Sequence, residues 1–183
     1  MRRLLGFFLL LGLALAQKGY YPHALGMRWV YSSGEVQTFT EVRELAGAEV
    51  WMLEHRYKDG ATMTEALAFN DRGVWVFAVI SGGETLTYDP PLQLYPKPPL
   101  RTGLRWGGTT RLRGQALKVE AEVLGLSGVE VKAGRYNAFR IRSKLAAAGG
   151  SESVVDLYFV PGVGVVRYAT ADGGVIDLVE FAR

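Results

Sequence analysis

The sequence predicts an all-β fold: a strongly curved antiparallel sheet of about ten strands, closed partly or fully as a half-barrel or barrel. Three observations favour it. Short apolar or alternating segments recur about every 8–12 residues, as in sandwiches and barrels. Turn signals such as Asp59-Gly60 separate many of them. No alternation of strand-like and helix-like segments, typical of βαβ units, is present. The 183 residues suffice for one domain with a hydrophobic core.

Residues 1–16 have the pattern of a secretory signal peptide. Arg2 and Arg3 precede the apolar run Leu4–Leu15, and Ala14-Leu15-Ala16 is a cleavage motif of small residues. An uncleaved membrane anchor is the alternative, but a bilayer span needs roughly 20 apolar residues and this run is shorter. We therefore expect cleavage near Ala16 and Gln17, a periplasmic or secreted single β domain over residues 17–183, and no transmembrane span in the mature chain.

A Tyr-Pro unit occurs twice, each time followed by a short spacer and then by Gly-(Met/Leu)-Arg-Trp. Proline fixes an extended or turned backbone, glycine permits a sharp entry into a strand, and alternation turns the tryptophan inward. The chain from Trp29 to Trp106 is as long as the chain from Trp106 to Arg183, which indicates two duplicated half-sheets. Chance recurrence in a β-rich chain is the alternative. The six motif residues are Pro22, Gly26, Trp29, Pro96, Gly103 and Trp106.

In the first half, alternation and turn residues define the strands. A helix around Leu45–His55 is an alternative to the third strand, which we favour because Asp59-Gly60 follows as a hairpin signal. Five prolines crowd Asp89–Leu100, so we expect a surface crossover there without ladder pairing. The predicted strands are Trp29–Ser32, Glu35–Leu45, Glu49–Lys58, Ala61–Phe69, Val74–Ile80 and Glu84–Tyr88.

The second half shows the clearest alternation in Ala116–Val123, whose Leu, Val and Ala residues face in while Lys118, Glu120 and Glu122 face water. We expect a bulge or bend at Gly107-Gly108 and a turn that requires Gly162 and Gly164. The predicted strands are Leu104–Leu112, Ala116–Val123, Val129–Lys132, Tyr136–Ser143, Val154–Val160, Val165–Thr170 and Val175–Phe181.

Three segments carry a family resemblance. Tyr-Pro-x3-Gly-x2-Trp-x-Tyr at Tyr21–Tyr31, the hairpin Val131–Ile141, and Pro-Gly-Val-Gly within Val160–Val166 resemble motifs of little-characterised bacterial envelope proteins, many of them lipoproteins. The resemblance implies a curved half-barrel loosely similar to periplasmic lipoprotein carriers, and it transfers no catalytic residue. This chain departs from the group because it has no cysteine to carry a lipid.

The sequence offers no constellation for catalysis. The two histidines, His23 and His55, lack a nucleophile motif, and zero cysteines with no histidine pair predict neither a metal site nor a cofactor. The carboxylates Glu120 and Glu122 share a strand face but read as solvated residues rather than a glycosidase pair. Without Arg2 and Arg3 the charges nearly balance, which gives no electrostatic basis for binding nucleic acid.

Aromatic residues are the abundant resource, and most are expected in the core. If the sheet encloses a hollow, some would line an apolar cavity, and we predict this role for Trp51, Tyr57, Phe69, Trp75 and Phe77. The sequence therefore favours an exported, non-enzymatic protein that binds an apolar ligand, lipid or lipoprotein-like, in that cavity. The alternative is a structural or assembly module of the cell envelope that uses Asp89–Leu100 to contact a protein partner.

Overall fold

The computed structural model describes residues 19–183, and these form a closed antiparallel barrel of twelve strands. Each strand pairs with its neighbour in the chain, and β1 pairs with β12 to complete the closure. The all-β, strongly curved sheet predicted from the sequence is confirmed, and the barrel form is the correct one of the two forms expected. The predicted signal peptide, residues 1–16, lies outside the described residues. The strands are β1 Arg28–Tyr31, β2 Val36–Leu45, β3 Ala48–Arg56, β4 Thr62–Asn70, β5 Gly73–Ser81, β6 Glu84–Pro96, β7 Arg105–Leu112, β8 Gln115–Val131, β9 Gly134–Ala147, β10 Glu152–Val160, β11 Gly164–Thr170 and β12 Val175–Ala182.

The third predicted strand is confirmed as β3, and the helical alternative for this stretch is wrong. Within β3, Leu53 and His55 face the barrel interior, while Val50 and Met52 belong to a separate buried cluster on the other face. This two-residue period is the one expected of a strand. Residues 19–183 include no helix long and apolar enough to span a bilayer.

The prediction that no ladder runs through Asp89–Leu100 is wrong. Strand β6 continues to Pro96, and its second part, from Leu92 onward, pairs with β5. The prolines are tolerated because the β5–β6 pairing skips from Thr87 to Leu92 at an irregularity that contains Pro90 and Pro91. A missing N–H group therefore interrupts no regular bond to β5 at those two positions.

At Gly107-Gly108, where we expected a bulge or bend, the pairing of β7 with β8 contains no bulge. Gly107 pairs in regular register with Glu120, and the irregularity lies in β8 between Val123 and Gly125. Gly107 is required for a different reason. Its φ is 149°, and a Cβ atom there would lie 2.1 Å from the Val119 carbonyl oxygen. Strand β8 continues beyond its irregularity to Val131. It therefore includes most of Val129–Lys132, which we predicted as a separate strand.

The two Gly-x-Arg-Trp units have the same local geometry. Gly26 and Gly103 both have φ of 79°, and each donates its N–H group to a backbone carbonyl at 2.8 Å. The Trp29 indole donates to the Val163 carbonyl at 2.6 Å, and the Trp106 indole donates to a backbone carbonyl at 3.0 Å. The units open β1 and β7, and six consecutive strands begin with each. The duplication itself stays a prediction, although these matched contacts support it.

Both Tyr-Pro copies meet inside one end of the barrel. The rings of Tyr21 and Tyr95 stack with centroids 5.2 Å apart, and the Tyr21 hydroxyl donates to the Pro96 carbonyl at 2.7 Å. The Phe159 ring lies 5.5 Å from Tyr21 and 5.1 Å from Tyr95, centroid to centroid. We call the end closed by Tyr21, Tyr95 and Phe159 the aromatic end.

The turn between β10 and β11 adjoins the aromatic end and requires glycine, as predicted. Gly162 and Gly164 have φ of 77° and 103°. A Cβ atom at Gly164 would also lie 3.2 Å from the Trp29 indole nitrogen. The turn can therefore present the Val163 carbonyl to Trp29 only with a small residue beside it.

Candidate ligand-binding cavity

The barrel interior contains a cavity of about 480 Å³. This volume falls in the range of about 300–1,000 Å³ that is typical of small-molecule sites. Strands from both halves of the barrel line it, mostly with apolar and aromatic side chains. Alternation along β4 shows how the sequence builds this wall, since every second residue faces in. The inward residues of β4 are Met63, Glu65, Leu67 and Phe69.

Of the five residues predicted to line a cavity, Tyr57 and Phe69 do so. Trp51 lies just behind the lining, where its ring meets Phe69 edge-on with centroids 6.4 Å apart. The structure thus brings Trp51 and Phe69 together, whereas Tyr57 lies at the other end of the β3–β4 pair. Whether they contact a ligand stays a prediction.

Trp75 and Phe77 do not line the cavity, which corrects their predicted placement. Val74 faces in, so the adjacent Trp75 projects to the opposite side of β5, where the Arg72 guanidinium lies 5.6 Å from its ring centroid. Phe77 packs against the second buried cluster. That cluster explains why β5 is apolar on both faces. Its buried members are Val50, Met52, Ala66, Ala68 and Ala78.

A polar cluster, Glu35–His55–Glu65, interrupts the otherwise apolar lining. The imidazole Nδ1 of His55 lies 2.8 Å from Glu35 Oε1, and its Nε2 lies 3.3 Å from Glu65 Oε2. The Gln37 amide also donates to Glu35 Oε1 at 2.9 Å. His55 on β3 therefore bridges Glu35, which immediately precedes β2, and Glu65 on β4, and these two strands flank β3.

This arrangement favours the charged form of His55. Burial by itself lowers the pKa of His55, but its hydrogen bonds to Glu35 and Glu65 and their negative charges outweigh burial and raise the pKa to about 9. Burial would raise the pKa of Glu35, whereas hydrogen bonds from His55 and Gln37 lower it below its ordinary value. At neutral pH the cluster holds an imidazolium beside carboxylates.

Tyrosines also line the cavity, and their hydroxyls stay neutral at physiological pH. Burial raises the pKa of Tyr168 to about 12 and also raises the pKa values of Tyr31 and Tyr95. The Tyr31 hydroxyl donates to the Val165 carbonyl at 2.9 Å. The cavity therefore combines a large apolar surface with a small number of oriented polar groups, as ligand sites commonly do.

Exposure differs between the two ends of the cavity. At the aromatic end, Trp29 and Phe159 are 4% and 2% exposed. At the opposite end Tyr57 is 37% exposed and Thr170 is also exposed, although both line the cavity. The solvent-accessible side thus lies near the turns that follow β1, β3 and β11, and we call it the mouth.

The histidines do not come together in a catalytic arrangement. His23 stacks on Phe69 with ring centroids 3.8 Å apart, and its Nδ1 lies 2.8 Å from the Tyr21 carbonyl oxygen. It therefore helps to cover the aromatic end, whereas His55 lies in the polar cluster. Among residues 19–183, no group of histidine and carboxylate side chains has an arrangement suited to a metal ion.

The carboxylates considered for glycoside cleavage are engaged with cations instead. Glu120 lies 2.7 Å from the Lys118 ammonium, and Glu122 lies 3.1 Å from the Arg105 guanidinium. These are exposed ion pairs of low energetic weight. Three of the polar residues that line the cavity, Glu35, Gln37 and Glu65, form no motif in the sequence, where only their alternation with inward apolar neighbours indicates them.

Two solved structures are similar to this chain in fold. A candidate exported protein from Bacteroides fragilis, described as having a YmcC-like fold, shares 12% identity and a TM-score of 0.50 over 90% of this chain and 99% of that one. A candidate lipoprotein from Parabacteroides distasonis shares 12% identity and a TM-score of 0.49 over 89% and 98%. At such low identity the likeness to the Bacteroides fragilis protein concerns the fold alone. No family model matches the sequence, and no curated protein matches it.

Proposed function

We propose that this protein is exported and binds an apolar molecule, such as a lipid or the acyl chain of a lipoprotein, inside the barrel without chemical conversion. The observation that carries the proposal is the cavity of about 480 Å³, walled by aromatic and aliphatic side chains. Such a hollow is hydrated by water only at a cost, because apolar walls offer few hydrogen bonds. Filling it with a hydrocarbon would bury apolar surface from both partners.

Export is supported by the signal pattern of residues 1–16 and by the fold shared with a candidate exported protein. The motif resemblance to envelope proteins points the same way. In this setting a barrel that sequesters a hydrocarbon would carry or store a molecule of low solubility. Edman sequencing of the protein secreted by a bacterial host checks the export step: the proposal requires a chain that starts near Gln17, and one that starts at Met1 contradicts it.

A non-enzymatic role is supported by how the cavity's polar groups are engaged. Both ring nitrogens of His55 face carboxylates, so neither is directed at a serine or threonine hydroxyl. The cluster thus has the features of a fixed electrostatic element rather than of a base paired with a nucleophile.

Binding can be measured with N-phenyl-1-naphthylamine, a neutral dye that fluoresces in apolar surroundings. We expect a saturable fluorescence increase with the purified mature protein. Leu157→Trp places a larger ring in the cavity and should weaken dye binding by about tenfold or more. Tyr158→Trp is the matched control, since Tyr158 is the next residue on β10 and does not line the cavity. Absence of saturable binding, or equal weakening by both substitutions, would refute the proposal.

A further inference from the structure

The charged side chains that line the cavity carry an excess of negative charge. Among its lining residues the ionisable groups are Glu35, Glu65, His55 and several tyrosines, and none is a lysine or arginine. With His55 protonated, the two carboxylates leave one negative charge uncompensated, and with His55 neutral they leave two. Either protonation state therefore makes the polar part of the cavity an anionic site enclosed by protein, where charges are screened less than at the surface.

The carboxylates also keep capacity to bind a ligand. The hydrogen bonds from His55 and Gln37 engage Oε1 of Glu35, and the contact with His55 engages Oε2 of Glu65. A carboxylate has a second oxygen and about four acceptor positions in all. The side chain of Glu65 is 27% exposed, compared with 15% for Glu35, so Glu65 is the more accessible of the two.

The polar cluster and the apolar surface occupy different levels of the barrel. Glu35 immediately precedes β2 beside the turn at the mouth, and His55 lies near the end of β3 on the same side. Trp29, Phe159 and the stacked tyrosines lie toward the aromatic end. A molecule that enters through the mouth with its hydrocarbon first would leave its head beside the carboxylates.

From this geometry we infer that the cavity selects amphiphiles with a positively charged head, such as a long-chain amine, over neutral or anionic amphiphiles of equal length. This inference rests on the proposed function and deepens it by naming the ligand class. The ammonium donates hydrogen bonds to Glu65 and Glu35 while the chain lies against the aromatic end. A fatty-acid carboxylate at the same position would instead meet like charge.

The test displaces N-phenyl-1-naphthylamine at pH 7.4 with decylamine, decanol and decanoate, which share one chain length and differ in head charge. We expect decylamine to compete about tenfold or more better than decanol, and decanoate to compete least. Glu65→Gln keeps the side-chain shape and should bring decylamine to the level of decanol, with decanol unchanged. Glu35→Gln is a second variant with the same expectation. Glu180→Gln is the control. Glu180 pairs with Arg28 on the barrel surface, so this substitution removes the same charge at a position outside the cavity.

The outcomes separate this inference from the proposal beneath it. Equal competition by the three compounds, or strongest competition by decanoate, overturns the selection for cations and leaves apolar binding intact. A preference for decylamine that persists in both cavity variants, or that Glu180→Gln also removes, overturns the assignment to the polar cluster. Failure of the dye itself to bind refutes the proposed function first. If a cavity variant does not fold, as judged by circular dichroism, the wild-type series alone still decides whether cations are preferred.

Discussion

The bridged histidine makes stability depend on pH in a direction that the structure fixes. His55 has its pKa raised from 6.5 to about 9 in the folded chain, since its bonds to two carboxylates exceed the effect of burial. A raised pKa means that the folded state holds the proton more tightly than the unfolded state. The stabilisation is complete below pH 6.5, declines as pH rises, and is lost once pH passes about 9. One pKa unit corresponds to 1.36 kcal/mol, so the full effect is about 3 kcal/mol.

The measurement is urea unfolding, followed by tryptophan fluorescence, of wild-type protein and His55→Gln between pH 6 and 9.5. We expect the gap in unfolding free energy between the two to narrow by about 3 kcal/mol across this range. Glu180→Gln, which alters an exposed ion pair, should run parallel to wild type. The range stops below pH 10 because the raised pKa values of Tyr31 and Tyr95 make their ionisation destabilising above it. A gap that stays constant within about 0.5 kcal/mol would refute the bridged imidazolium.

Three further predictions concern the fold. Gly107→Ala should lower the free energy of unfolding in urea by about 2–4 kcal/mol, because its Cβ would lie 2.1 Å from a carbonyl oxygen. Gly108→Ala is the control: a Cβ there meets nothing within 4 Å, so its stability should stay within about 0.5 kcal/mol of wild type. Equal effects of the two substitutions would contradict the close approach at Gly107. Phe159→Ala removes a fully buried ring and should lower the free energy of unfolding by about 3–5 kcal/mol. Leu126→Ala, at a position 65% exposed, should lower it by less than about 0.5 kcal/mol. A similarly small loss of stability for Phe159→Ala would show that the aromatic end is not packed. Asp156→Asn leaves Arg140 and Arg142 without their carboxylate and should lower the free energy of unfolding by about 2–3 kcal/mol at pH 7. Because these arginines lower the pKa of Asp156, the stability difference between wild type and variant should shrink as pH falls through the acidic range. A stability difference that does not change with pH would contradict the pairing.

The fold class was predictable because two-residue alternation is a local signal. Strands such as Ala116–Val123 carry it clearly, and glycine turns mark where most strands end. Proline misled the prediction for β6, since its effect depends on whether the missing N–H group faces a partner. That partner is known only after β5 and β6 are aligned, and their irregular pairing places Pro90 and Pro91 outside the regular bonds.

The candidate site was predictable only in part, because it depends on which face of each strand turns inward. In β4 Phe69 lines the cavity, but the charged Glu65 also faces in while Ala66 and Ala68 are buried on the other face, so the local pattern does not single out the inward side. For β5 both faces are apolar, so Trp75 and Phe77 gave no sign that they project outward. The polar cluster joins residues from three segments of the chain, and nothing local to His55 indicates that Glu35 and Glu65 lie beside it.

The pairing of β1 with β12 closes the barrel. It sets Trp29 opposite Phe181, so the last bonds of the ring connect segments from opposite ends of the described chain. Every other neighbouring pair of strands is a local hairpin or short connection and can assemble early, but this one must wait for a long loop to close. Until then the sheet has two unpaired margins that another copy could use for pairing. Removing β12 would therefore leave an open sheet with unpaired edge strands rather than a smaller barrel. The cavity would no longer be enclosed, and the protein would become prone to aggregate.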